Sequence, residues 1–153
     1  MKKKKIWKVF GAVLLVLLLF VYFAGQLDSG SVPDAVSGLN PDGSYTAAED
    51  VAAYLAEYGH LPSNFITKEE ARQLGWEGGG LDDYAYGCCI GGDKFGNYEG
   101  LLPEADGRKY YECDINTLHK DNRGPERIVF SNDGLIYYTP DHYESFELLY
   151  GEE

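Results

Sequence analysis

The sequence predicts an α+β domain in which N-terminal helices pack on a five-stranded antiparallel sheet. Three observations carry this expectation. Two stretches with helix-start chemistry come first, and five short stretches rich in aromatic or β-branched residues follow. Turn residues separate the five, with Asn132-Asp133-Gly134 between two of them as a tight-hairpin signal.

The first helix is expected to start at Thr46-Ala-Ala-Glu49, which has the spacing of a capping box. Val51, Tyr54, Leu55 and Tyr58 then recur at helical spacing, and Gly59 supplies a left-handed stop. A second box, Thr67-Lys-Glu-Glu70, opens a short helix through Leu74 that Gly75 ends. Gly78-Gly79-Gly80 reads as a loop. The strands are expected at Tyr86–Asp93, Lys109–Asn116, Arg127–Ser131, Leu135–Thr139 and Ser145–Leu149. Within the second of these, alternation puts Tyr110, Glu112 and Asp114 on one face. Cys113 and Ile115 fall on the other, toward the helices, so Glu112 is expected on the open face.

Ahead of this domain, residues 1–25 combine a lysine cluster (Lys2 to Lys5 and Lys8) with an uncharged apolar run from Val9 to Ala24. Sixteen residues of helix span about 24 Å, short of the ~30 Å hydrocarbon core, which favours a signal peptide. Tyr22 and Phe23 are bulky for a cleavage site, so an uncleaved membrane anchor stays open. Either way the rest is expected outside the cell, secreted or held at the outer face of the membrane. Residues 26–44, rich in Ser, Gly, Pro and Asp, are expected to be a flexible linker, leaving 45–153 as the domain.

Five of the 13 Lys and Arg lie in the leader, so the remainder carries eight cations against all 25 acids, a net −17. Such a body repels nucleic acid at long range, and any site for it must be a local cationic pocket. Cys88, Cys89 and Cys113 suit one disulfide plus one spare thiol in an oxidising compartment. Alternation favours Cys89–Cys113, because adjacent cysteines point to opposite faces. Neither C-x-x-C nor H-x-x-x-H spacing occurs, so no metal site or cofactor is expected.

By residue type, the candidates for chemistry are Glu112 in a strand, His142 in the loop Thr139-Pro140-Asp141-His142-Tyr143, and the cations Lys68, Arg123 and Arg127. A carboxylate base, an imidazole acid and cations on the phosphate are what transesterification of a phosphodiester by its own 2′-hydroxyl needs. Taken singly, a loop histidine is more often just solvated, and a strand glutamate more often a cross-strand ion-pair partner.

Longer strings decide between these readings. Val51-Ala-Ala-Tyr-Leu, Leu61-Pro-Ser-Asn-Phe-Ile-Thr-Lys-Glu-Glu-Ala, Leu74-Gly-Trp, Ile90-Gly-Gly-Asp-Lys-Phe, Asp114-Ile-Asn, Leu135-Ile-Tyr and Asp141-His-Tyr occur in this order. From about Ser44 to Leu149 the chain resembles the barnase and binase type of bacterial extracellular, guanine-preferring ribonuclease. The resemblance implies the microbial ribonuclease fold and a monomer acting on single-stranded RNA through a 2′,3′-cyclic phosphate without metal. It implies Glu112 as general base, His142 as general acid, and Lys68, Arg123 and Arg127 as phosphate-binding cations. Phe95-Gly-Asn-Tyr-Glu99 resembles the guanine loop, with Asn97 and Glu99 at the base edge and Phe95 and Tyr143 flanking the substrate. Asp93 is implied to orient the cations, and a small acidic inhibitor of the barstar type is an implied partner. Three residues depart from the pattern: Tyr98 where the family has arginine, Asn122 for an aromatic, and Gly134 for a hairpin tryptophan. Tyr98, Asn122 and the net −17 leave room for an alternative, a membrane-tethered toxin or a catalytically weakened RNA-binding module of the same fold.

Overall fold

The computed structural model describes residues 38–152, so the leader and the linker up to residue 37 lie outside the described residues. Among the described residues no helix is long and apolar enough to cross a membrane. Helix α1 (Ala48–Tyr58) is followed by β1 (Phe65–Ile66), α2 (Lys68–Gln73), β2 (Cys89–Phe95), β3 (Tyr110–Asp114), β4 (Arg127–Ser131), β5 (Ile136–Thr139) and β6 (Glu147–Tyr150). The strands form one sheet in chain order. It has six strands rather than the expected five. The added β1 is two residues long and parallel to β2, pairing Phe65 with Cys89 and Ile66 with Ile90. Two residues are too few to display an alternation. The other neighbours pair antiparallel.

Helix α1 buries Val51, Ala52, Tyr54 and Leu55, and Gly59 ends it at φ 72° with its N–H on the Leu55 carbonyl. The capping box expected at Thr46 does not form. Ala47 is the N-cap, with no side-chain cap. Thr46 is engaged elsewhere: its carbonyl accepts from Asn116 N at 2.8 Å and its hydroxyl lies 3.8 Å from Cys89 Sγ. Glu49 and Asp50 in the first turn complement the helix dipole instead. Part of the stretch read as linker packs on this helix. Leu39 is buried, and its carbonyl and that of Pro41 accept from the hydroxyls of Tyr58 (2.6 Å) and Tyr54 (2.7 Å). The second box forms fully. Thr67 Oγ1 accepts from Glu70 N, and Glu70 accepts from Thr67 N at 2.7 Å.

The two faces of the sheet carry different cores. Cys113, Ile115, Ile128 and Ile136 meet Val51, Ala52 and Leu55 of α1. On the other face Leu102, Tyr110, Val129, Leu135 and Tyr137 cluster with Phe95 of β2 and with Tyr143 and Phe146 from the loop after β5. That face is partly roofed, so Glu112 is largely buried and is reached only through a cavity.

All three cysteines are free thiols, and the expected Cys89–Cys113 disulfide is absent. Register explains it: the residue paired with Cys113 is Gly91, two positions further along β2 than Cys89. A β-carbon at Gly91 would lie 2.6 Å from that of Cys113, so the strands close only because Gly91 lacks one. A bulge follows at once. Gly92, at φ 95°, is left between the pairs Gly91–Cys113 and Asp93–Glu112, and the extra residue sets Asp93 opposite Glu112.

Candidate active site

Glu112 stands in the middle of the sheet, between Asp93 of β2 and Val129 of β4. Its carboxylate has two partners from outside the sheet. Lys68 Nζ, at the start of α2, lies 2.5 Å from Oε1, and the Tyr143 hydroxyl donates to Oε2 at 2.6 Å. Burial, then this bond to Glu112, pushes the Tyr143 phenol above its ordinary range, so it stays a donor at neutral pH.

Behind Glu112 the strand continues to Asp114, only 2% exposed. Asp114 accepts from Arg123 Nε (2.6 Å) and Nη2 (2.8 Å), a fork on a carboxylate. Arg127, paired with Asp114 across β3 and β4, brings Nε within 3.0 Å of Asp114 Oδ1 but without a directed hydrogen bond. Its Nη1 donates to the carbonyls of Arg123, Gly124 and Glu126. The Arg123 guanidinium also lies 5.8 Å over the Trp76 ring. Three cations therefore gather about Glu112 and Asp114 inside an acidic chain, with Asp93 beside them at the start of α2.

His142 enters from the loop after β5. Its backbone N–H donates to the Pro125 carbonyl, and its ring lies 4.7 Å from that of Tyr143. Both residues hold positive φ, 58° and 75°. Conformations of this kind cost about 1–3 kcal/mol each and persist only where the surroundings impose them. Here Tyr143 N donates to Thr139 Oγ1, while Asp141 accepts from Thr139 Oγ1, Ser145 N and Ser145 Oγ. The Ser145 bonds hold the Asp141 carboxyl below its usual range.

Lys68, Glu112, Arg123, His142 and Tyr143 line one cavity of ≈ 380 Å³, together with Phe95 at the end of β2 and Asn97, Tyr98 and Glu99 from the loop after it. Phe95 packs 5.3 Å from Tyr143. Tyr98 is 99% exposed at the cavity rim.

Three of the sequence-predicted residues make contacts that the sequence does not show. Asp93 does not take a cation side chain; its Oδ2 accepts from Lys68 N at 3.0 Å and so caps α2. The Asn97 carboxamide is engaged with Leu102, through both its N and its carbonyl, and braces the loop. Arg127 is buried and does not line the cavity. The residue that gathers the arginines is Asp114, which the sequence reading left without a role. Its signal was present, since alternation puts it on the face of Glu112. Of the departures, Asn122 accepts from Gly124 N to shape a turn, and Gly134 sits at φ 104°, where only glycine is unstrained.

No group of His, Cys, Asp and Glu suited to a metal ion occurs among the described residues. Residues 48–150 match the family model described as ribonuclease. A ribonuclease of Bacillus intermedius is 39% identical over 158 residues, covering 94% of this chain and 97% of the relative. A ribonuclease of Heyndrickxia coagulans is 49% identical over 100 residues, 64% of this chain and 91% of the relative. The guanyl-specific ribonuclease St of Saccharopolyspora erythraea is 44% identical over 57 residues, 37% of this chain and 56% of the relative. The chain belongs to the ribonuclease family, in its barnase and binase branch.

Proposed function

We propose that this ribonuclease cleaves single-stranded RNA on the 3′ side of guanosine, with Glu112 as general base and His142 as general acid. The single observation behind it is that both line one cavity with Lys68 and Arg123. Glu112 takes the ribose 2′-proton, and the 2′-oxygen attacks phosphorus. The 5′-oxygen leaves with a proton from His142, and a 2′,3′-cyclic phosphate forms. Water then opens the cycle with the roles exchanged. Lys68 and Arg123 meet the phosphoryl oxygens as their charge rises, and Arg127 adds field from beneath. Side chains supply base, acid and countercharge, which supports a reaction without a metal.

Guanine preference is supported by the loop after β2. Glu99 lines the cavity beside Phe95 and Tyr143, and a guanyl-specific relative aligns with part of the chain. The lysine cluster and apolar run of residues 1–25 support export, which the N-terminal mass of protein recovered from culture medium would test. Lys68, Lys94 and Arg123, which line the cavity, also suit a small acidic inhibitor protein.

A base-varied series of oligonucleotides, cleaved with and without EDTA, tests the proposal. Wild type is expected to cut after guanosine regardless of EDTA, and Glu112→Ala and His142→Ala to lose most activity. Undiminished cleavage by both variants would sink the assignment, and equal cleavage after all four bases would remove the guanine preference.

A further inference from the structure

A second groove, ≈ 320 Å³ in volume, adjoins the cavity. Lys94, Phe95, Gly96 and Asn97 line both, so the end of β2 and the loop after it form the wall between them. The far side of the groove carries Glu104, Arg108 and Lys109. Three cations to one acid is the reverse of a chain with 25 acids and 13 Lys and Arg. Arg108 is already engaged, with Nε 2.8 Å from Asp133 Oδ2 and Nη1 on the Pro103 carbonyl. Lys94 and Lys109 are exposed and make no ion pair with any described residue. Their backbones are fixed, Lys94 paired with Tyr111 in the sheet and Lys109 N donating to Asn132 at 2.7 Å.

An isolated surface lysine is ordinarily just solvated. Two unpaired ones along a groove, in a body this acidic, mark a place where a polyanion is tolerated. Continuity with the cavity makes RNA the polyanion. We infer that this groove is a subsite for RNA beyond the scissile dinucleotide, with Lys94 and Lys109 on its phosphates. The inference rests on the proposed function. With the 3′-phosphate of guanosine at Glu112 and its base against the shared loop, the 5′ side of the nucleotide is the part left to continue past that loop. The groove therefore holds nucleotides on the 5′ side.

Three substrates with one guanosine test this: GpU, GpU extended by four uridines at its 5′ end, and GpU extended by four at its 3′ end. The 5′ extension is expected to raise kcat/KM, chiefly through KM. In Lys94→Gln/Lys109→Gln that gain should collapse, while Lys94→Arg/Lys109→Arg keeps it. Above 0.1 M salt, the log–log slope of kcat/KM for the 5′-extended substrate should shrink by about 1.4 in the glutamine variant, ~0.7 for each phosphate of the single strand that a lysine no longer neutralises. Equal efficiency of wild type on all three substrates would overturn the inference while leaving the proposed function standing. So would a gain from the 3′ extension alone, or a glutamine variant that keeps gain and slope. A wild type that cleaves none of the three overturns the proposed chemistry and this inference with it.

Discussion

Asp114→Ala is the substitution expected to cost this protein most for the fewest atoms. The side chains of Asp114 and Arg127 are 2% and 3% exposed, while that of Arg123 is 26% exposed. Removing the carboxylate strands one buried guanidinium and releases a second that water can partly rescue. Breaking a buried pair by deleting one partner costs about 3–5 kcal/mol, mostly from the charge left behind. The three carbonyls on Arg127 Nη1 remain, which argues for the lower half of that range. For a domain of this size the midpoint of thermal unfolding should fall by roughly 10–25 °C. Denaturant unfolding of the single variants and of Asp114→Ala/Arg127→Met forms a double-mutant cycle. The double variant should lose much less than the two single losses together, because the buried guanidinium is then gone and the Arg123 left without its partner is partly exposed. A single-variant loss below about 1 kcal/mol would refute the reasoning, since it falls under any buried-pair cost. Simple additivity in the cycle would refute it as well.

Two further outcomes follow from the same geometry. Tyr143→Phe removes the hydroxyl that donates to the buried Glu112 carboxylate. Hydrogen bonds to charged groups contribute about 1.5–3 kcal/mol, so kcat/KM on GpU should drop roughly 10- to 100-fold with the fold intact. Activity within twofold of wild type would mean that Lys68 alone places Glu112. Tyr138 donates to Glu126 at 2.6 Å, and that bond, with burial second, pushes its phenol up to about 12. The folded value lies above the unfolded one, so the stabilisation is fully present below pH ~10 and disappears as pH rises through ~12. The stability gap between wild type and Tyr138→Phe, followed by thermal unfolding between pH 8 and 11.5, should therefore narrow with rising pH. A constant gap would contradict this.

The parts of this architecture legible in the sequence are those set within a few residues. Alternation in β3 sorts Glu112 and Asp114 from Cys113 and Ile115, and the structure keeps that division. Thr67 and Thr46 carry the same box spacing, yet only Thr67 caps, because Asn116 and Cys89 draw Thr46 away. Those competitors arrive from the far end of β3 and from β2, beyond any local pattern. Asp93 and Asp114 show the same limit. Each is visibly acidic and near the chemistry, but one caps a helix and the other gathers two arginines. Which does which depends on a bulge at Gly92 and on the β3–β4 register. The two-residue β1 leaves no mark in the sequence for a simpler reason, since two residues carry no period.

The acidity of the chain constrains how it meets RNA. Beyond the leader there are eight cations; Lys68, Arg123 and Arg127 belong to the cluster about Glu112, and Lys94, Arg108 and Lys109 to the adjoining groove. Only Arg72 and Lys120 stand elsewhere, so the rest of the surface faces an approaching phosphate chain with net repulsion. That repulsion acts over distances set by the Debye length, ~30 Å at 0.01 M and ~10 Å at 0.1 M. Contacts inside the cavity are shorter than either. Salt should then suppress the repulsion before it weakens the contacts, so kcat/KM on a long RNA should rise from 0.01 M toward 0.1 M and fall above it. The short substrate GpU carries too little charge to feel the first effect and should show little or no rise. A monotonic fall on both substrates would mean that the cationic sites dominate the field at every distance. The acids would then be too remote from the approach path to matter.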